Sequence, residues 1–132
     1  MQQNPVRWFE IYVQEMERAV KFYEEVLQLK LQKLDTPESM AQPNAPKFEI
    51  WAFPMEGDKV GCGGALVHME GFSSGRNSTL VYFASNDCSI ESSRVVKAGG
   101  RIEKNKFSIG QYGFIALAYD TEGNMFGIHS ME

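Results

Sequence analysis

The sequence predicts an α+β fold built from two βαβββ modules in tandem, and three observations carry that reading. A strand, a helix and three more strands follow one another in residues 1–70, and the same order begins again in residues 78–132. Short stretches of the two halves echo one another at matching places. With 132 residues, 43% of them apolar and 12% aromatic, the chain can bury one sizeable core but not two, so residues 1–132 read as a single domain.

Residues 6–13, Val-Arg-Trp-Phe-Glu-Ile-Tyr-Val, are β-branched and aromatic with no Gly or Pro, and predict the first strand. Met16, Ala19, Val20, Tyr23, Val26 and Leu27 then recur at helical spacing, with Glu17, Arg18, Lys21, Glu24 and Glu25 on the other side. That pattern gives a helix of about three turns. A second strand is expected at 28–34. Residues 35–47 gather Pro37, Pro43 and Pro46 without an apolar period, a loop long enough to act as a mobile flap. Strands at 47–54 and 63–69, separated by the turn 55–58, complete the first module.

The Gly/Ser/Asn-rich connector 70–78 leads to a strand at 79–84. Asn86-Asp87 start a helix over 89–98, and Gly99-Gly100 stop it. Strands at 101–107, 113–119 and 125–130 follow, with the turn 120–124 before the last. The repeat survives residue-level comparison. RWFEIYVQEMERA lies over TLVYFASNDCSIE with Trp8 opposite Leu80, Glu10 opposite Tyr82 and Glu15 opposite Asp87, and FPMEGD lies over YDTEGN.

Thirteen Lys+Arg against 17 Asp+Glu leave a net charge of -4 with no basic stripe, which argues against a nucleic-acid partner and for small molecules or protein surfaces. No basic-then-apolar leader opens the sequence, and no apolar run approaches the ~18 residues of a membrane span, so no membrane partner is expected and the chain reads as cytoplasmic. Cys62 and Cys88 lack metal-type spacing and read as reduced thiols.

Val13-Gln14-Glu15-Met16-Glu17-Arg18-Ala19 running into Phe22-Tyr23 is similar to the "VxDxxRAxxFY" opening of the vicinal oxygen chelate superfamily. Ala98-Gly99-Gly100 and Asp120-Thr121-Glu122-Gly123-Asn124 resemble its "AGG" and "DPxGN" signatures. That superfamily holds glyoxalase I, the extradiol dioxygenases and the bleomycin- and fosfomycin-resistance proteins. The resemblance implies a curled mixed sheet around an open cleft, helices on the outer face, and a homodimer. It also implies a metal held by one residue on the first and fourth strands of each module. Those positions fall here at Trp8, at Leu80, at Gly127, and at Gly64 or Leu66, none of which can bind a metal, so no cofactor is expected at the usual place.

Strand alternation then names what shares the face of the lost ligands. Trp8 brings Glu10 and Tyr12, Leu80 brings Tyr82, Gly127 brings His129, and Gly64 or Leu66 brings His68. Two uses of this set are open: a displaced divalent-metal site of Glu10, His68 and His129, or a metal-free acid/base group. The alternative is structural, with half-solvated histidines near strand ends and Glu10 held by a tyrosine or backbone partner. Glu10 is the foremost catalytic candidate, since a carboxylate amid WFEIYV is costly to bury unless it is hydrogen-bonded or used, and Tyr82 or His129 is its acid partner. Trp8, Tyr12 and Tyr82, with His68, Trp51 and Phe53, either line the cleft for a flat ligand or fill the space left by the missing metal, the filling role suiting Trp8 best because it occupies a ligand position. The expected function is therefore binding of a small organic molecule, with a metal-independent lyase or isomerase using Glu10 as general base as the alternative. A protein-binding role has no sequence feature in its favour.

Overall fold

The structure, a computed structural model, describes residues 4–132. Its elements run β1 (Trp8–Tyr12), α1 (Met16–Leu27), β2 (Gln32–Lys33), β3 (Phe48–Ala52), β4 (Gly63–Met69), β5 (Tyr82–Ala84), α2 (Cys88–Ser92), β6 (Arg101–Ser108), β7 (Phe114–Tyr119) and β8 (Met125–Ser130), with short 3-10 turns at Glu38–Met40 and Gly110–Tyr112. The strands form two four-stranded mixed sheets, ordered β1-β4-β3-β2 and β5-β8-β7-β6. In each, the first strand of the module pairs in parallel with the fourth, and the other pairings are antiparallel. This is the tandem βαβββ, α+β architecture that the repeat predicts. The residues that the echo sets opposite each other also hold the same place, Glu15 at the N-cap of α1 and Asp87 at the N-cap of α2, although only the Asp87 side chain accepts a capping bond.

One apolar cluster joins the modules. Val13, Ala19, Phe22, Tyr23 and Val26 of the first meet Val95, Ala116, Ala118, Phe126 and Ile128 of the second. At its centre Phe9, Phe22, Tyr23, Phe53, Phe83 and Phe126 pack in tilted and edge-on pairs, with ring centroids between 5.1 and 6.1 Å apart. Phe53, expected in a ligand cleft, is part of this core.

Three elements are cut to half or less of their sequence patterns. The helix expected over 89–98 ends at Ser92, because the Ser92 and Ser93 hydroxyls donate to the carbonyls of Ser89 and Ile90, and the chain tightens into turns. The strand expected over 28–34 is reduced to two residues, since Gln28 caps α1 in the left-handed conformation and Leu31 N–H is taken by the Glu24 carboxylate. The strand expected over 79–84 pairs only from Tyr82 onward. Of the cysteines, Cys88 is buried and Cys62 is exposed.

Gly100, where the chain leaves the second helical region for β6, shows how tightly that corner is packed. A Cβ there would collide with the Tyr119 carbonyl oxygen and the Phe22 ring, whereas one at Gly57 meets nothing within 4 Å. Gly100→Ala should therefore destabilise the protein by about 2 kcal/mol in urea unfolding, while Gly57→Ala should stay within about 0.5 kcal/mol of the parent.

Candidate functional site

Along the free edge of β1 lies a groove of about 500 Å³, walled on one side by Trp8, Glu10 and Tyr12 and on the other by Ser73–Gly75, Asn77, Thr79, Val81 and Met125. β1 supplies its wall by simple alternation: Ile11 is buried and Phe9 packs against the core, so Trp8, Glu10 and Tyr12 turn outward. Glu10 is exposed rather than buried, and it is held from both sides. Trp8 Nε1 donates to its Oε2 at 3.2 Å and the Tyr12 hydroxyl donates to its Oε1 at 2.9 Å. Tyr12 is itself braced by stacking on Phe72, centroids 5.1 Å apart and rings 19° from parallel. Partial burial raises the Tyr12 phenol above its ordinary pKa, reinforced by the bond to Glu10 and by that carboxylate's charge, so its proton stays on the phenol at neutral pH.

Both walls are fixed by the turn 120–124. The Glu122 carboxylate accepts from the N–H groups of Gln14 and Glu15, just past the end of β1, and from Arg18 Nε and Nη2 at 2.8 and 3.2 Å. Asn124 Nδ2 donates to the Tyr12 carbonyl at 3.1 Å, while Asn124 Oδ1 accepts from Gly75 N–H at 2.7 Å. Ser74 donates to the Glu122 carbonyl, and Asn77 bonds both main-chain groups of Met125. Beneath them the Tyr23 hydroxyl donates to Asp120 Oδ2 at 2.6 Å, and Asp120 Oδ1 accepts from the N–H groups of Glu122 and Asn124. Burial raises the Asp120 carboxyl against those bonds, and burial followed by the Asp120 charge raises Tyr23 well above 10. For Glu122 the balance is opposite. Burial pushes it up, but the bonds from Arg18, Glu15, Gln14 and Thr121 outweigh burial and hold it at about 2.

The expected cleft residues do not all meet. The register pairs Glu10 with Ala65 and Ile11 with Leu66, so Gly63, Ala65 and Val67 share the face of Glu10, while Gly64, Leu66 and His68 turn to the other. His68 therefore lies across the sheet from Glu10, its Nδ1 2.9 Å from the Val13 carbonyl oxygen. Trp51, paired with Leu66, is on that same face and donates to Glu49. Tyr82 is exposed and its ring lies over Gly127. His129 shares the outer face of the second sheet with Tyr82, and its Nε2 is 2.7 Å from the Tyr112 carbonyl oxygen. Neither Tyr82 nor His129 lines the groove. Glu10, Trp8 and Tyr12 are thus the part of the expected set that the fold assembles. Sequence reading missed the connector residues Ser74, Gly75 and Asn77, whose polar pattern resembles any solvated loop.

A family profile, "Glyoxalase/Bleomycin resistance protein/Dioxygenase superfamily", matches residues 6–128. The chain belongs to that superfamily. Its fold is similar to that of a glyoxalase I mutant from Zea mays, with a TM-score of 0.71 and 22% identity over 96% of this chain and 46% of the maize one. It is also similar to a glyoxalase-related enzyme from Fulvimarina pelagi (TM-score 0.66, 17% identity, 98% and 88% covered) and to TnmS3, an antibiotic binding protein from Streptomyces sp. CB03234 (0.63, 21%, 98% and 98%). The chain spans about half the length of the maize enzyme. No curated protein sequence matches it.

The side chains at the positions where the resemblance implies a metal lack the donors that one needs. An indole at 8, alkyl side chains at 80 and 66 and bare backbone at 64 and 127 offer no side-chain donor. Among the described residues no group of three or more His, Cys, Asp or Glu is placed to hold one elsewhere.

The Glu122 junction makes a pH-dependent prediction. Its carboxyl sits near 4.5 when unfolded and at about 2 when folded, so its contribution is present above pH 4.5 and lost as pH falls toward 2. Asp120, shifted the other way, is common to both proteins in a comparison with Glu122→Gln. The parent should exceed that variant by about 2 kcal/mol in urea unfolding at pH 7. The gap should close as the pH drops from 4.5 toward 2. A gap independent of pH would place the Glu122 charge outside the fold's energetics.

Proposed function

We propose that the protein binds a small organic ligand in the groove along β1, without a metal at the superfamily's usual positions. The observation that carries this is the fixed carboxylate of Glu10, held between an indole N–H and a phenol at the wall of a 500 Å³ groove. Such a wall offers an oriented acceptor for a ligand's hydroxyl or N–H, with aromatic faces on both sides for its apolar part. TnmS3, an antibiotic binding protein of similar fold, accords with a binding role. The lyase reading keeps Glu10 as the base and gains one supporting observation, a phenol 2.9 Å away that retains its proton and stands where Tyr82 or His129 was expected.

Ligand screening followed by calorimetry separates the two. For a bound ligand, Glu10→Gln should lower affinity about tenfold or more, by losing a charged acceptor and the order it imposes on Trp8 and Tyr12, and a chelator should leave affinity unchanged. A chelator that abolishes binding would contradict the metal-free part. A ligand consumed by the parent and bound but not turned over by Glu10→Gln would establish the lyase reading.

A homodimer belongs to the same proposal. The chain exposes 8852 Å², against roughly 7,000 Å² for a compact monomer of its mass. Both β1 and β5 are edge strands. Sedimentation equilibrium should give twice the 14.9 kDa chain mass, and a single-chain mass at high concentration would refute the dimer.

A further inference from the structure

The groove along β1 carries charge of one sign. Of the residues that line it, Glu10 is the one acid, and no Lys, Arg or His is among them. Among the described residues Glu10 enters no ion pair. Its two bonds come from neutral donors, the Trp8 indole and the Tyr12 hydroxyl, which fix the carboxylate without cancelling its charge. The cations of the second sheet, Arg101 and Lys104, stand on β6, and β7 separates them from Met125 at the groove wall. That is roughly 10 Å at a strand spacing of about 4.8 Å. Each is held over an aromatic ring, Arg101 over Tyr119 and Lys104 over Phe107.

The polar groups of the facing wall are spent within the protein. Asn77 bonds the Thr79 carbonyl and both main-chain groups of Met125, and Asn124 bridges Tyr12 and Gly75. The Ser74 hydroxyl donates to the Glu122 carbonyl, which leaves the hydroxyls of Ser73 and Thr79. A ligand anion would find no positive centre here and would face Glu10 instead.

Glu10 also has the shape to take a paired donor. Trp8 bonds one of its oxygens and Tyr12 the other, so each keeps a further lone pair. Two acceptors side by side on one carboxylate match the parallel N–H groups of a planar amidinium or guanidinium, which a point-like ammonium cannot match. The indole and the phenol, the latter backed by Phe72, present ring faces beside them that attract the same cation.

We infer that the ligand of the groove is an organic cation, an amidinium or guanidinium joined to a flat apolar body. Its paired N–H groups donate to Oε1 and Oε2 of Glu10, and its body lies along Trp8 toward Val81 and Met125. This rests on the reading of the groove as a ligand site and adds the charge and the head group of what it takes.

The test is titration of the intact protein with 2-naphthamidine, 2-naphthamide, 2-naphthoate and 2-naphthylmethylammonium, read by calorimetry and chemical-shift mapping. The amidine should bind about tenfold or more tightly than the amide, the methylammonium should fall between them, and naphthoate should bind least. The shifts should map to Trp8, Tyr12, Val81 and Met125, and the advantage of the amidine should shrink with salt. Glu10→Gln changes an exposed side chain and should remove that advantage while the amide binds as before. Glu17→Gln takes the same charge from an exposed position on α1 and should leave the advantage intact. An advantage that survives Glu10→Gln, or one that Glu17→Gln abolishes, would overturn the inference, as would naphthoate binding tightest. A methylammonium equal to the amidine would refute the paired donor. Equal affinity of amide and amidine, with shifts in the groove, would overturn the inference and leave the groove a ligand site. Shifts outside the groove for every probe would overturn both.

Discussion

Everything near the candidate groove hangs on one five-residue turn. Residues 120–124 carry a buried aspartate, a buried glutamate and a buried asparagine, and each spends its bonding capacity on a different part of the chain. Asp120 closes the turn upon itself and holds Tyr23 of α1. Glu122 satisfies the backbone N–H groups where β1 gives way to α1, and Arg18 neutralises it. Asn124 bridges β1 to the connector. An unpaired group in any of these places would carry a desolvation cost with no return. Among the described residues none is left, since every buried side-chain nitrogen or oxygen has a partner. The turn therefore acts as a fixed polar junction between modules whose remaining contact is mainly apolar, apart from the bond that Arg94 donates to the Val26 carbonyl. It sets the distance between the two walls of the groove.

Much of this was legible in the sequence, for physical reasons that differ by feature. The strand β1 and helix α1 are written in periodicities of two and 3.6, which local sterics enforce. The repeat set Glu15 opposite Asp87, and both stand at the N-cap position of their helices. That Trp8, Glu10 and Tyr12 share one face followed from alternation alone. His68 lies across the sheet from Glu10 because Gly64 and Leu66, whose face it shares, pair with Phe9 and Ile11, and a one-residue slip exchanges the faces of a strand. The cations of β6 escaped notice for a related reason: two register breaks interrupt its alternation, so which residues share a face is decided only by pairing with β7.

Glycine explains how the sheets accommodate their aromatics. Phe9 lies over Gly64 and Tyr82 over Gly127, where a Cβ would overlap the ring in either case. The first pair faces the shared core and closes it. The second faces outward and leaves a phenol on the surface of the second sheet. Position 127, where the superfamily's resemblance implies a metal-binding glutamate, is thus shaped here to seat a ring. The side chains these surfaces present are an oriented carboxylate, aromatic rings and cations stacked on them.

Amide hydrogen exchange on the intact protein tests the junction most directly. If the turn 120–124 is an integral part of the fold, the amides of Gln14, Glu15, Gly75, Glu122 and Asn124 should exchange only with the same global opening that exposes Leu66 and Val67 in the middle of β4. Protection equal to that of β4 is the predicted result. Exchange through local fluctuations, orders of magnitude faster than at Leu66, would show that the walls of the groove are held by something other than these buried carboxylate and amide bonds, and would contradict the account.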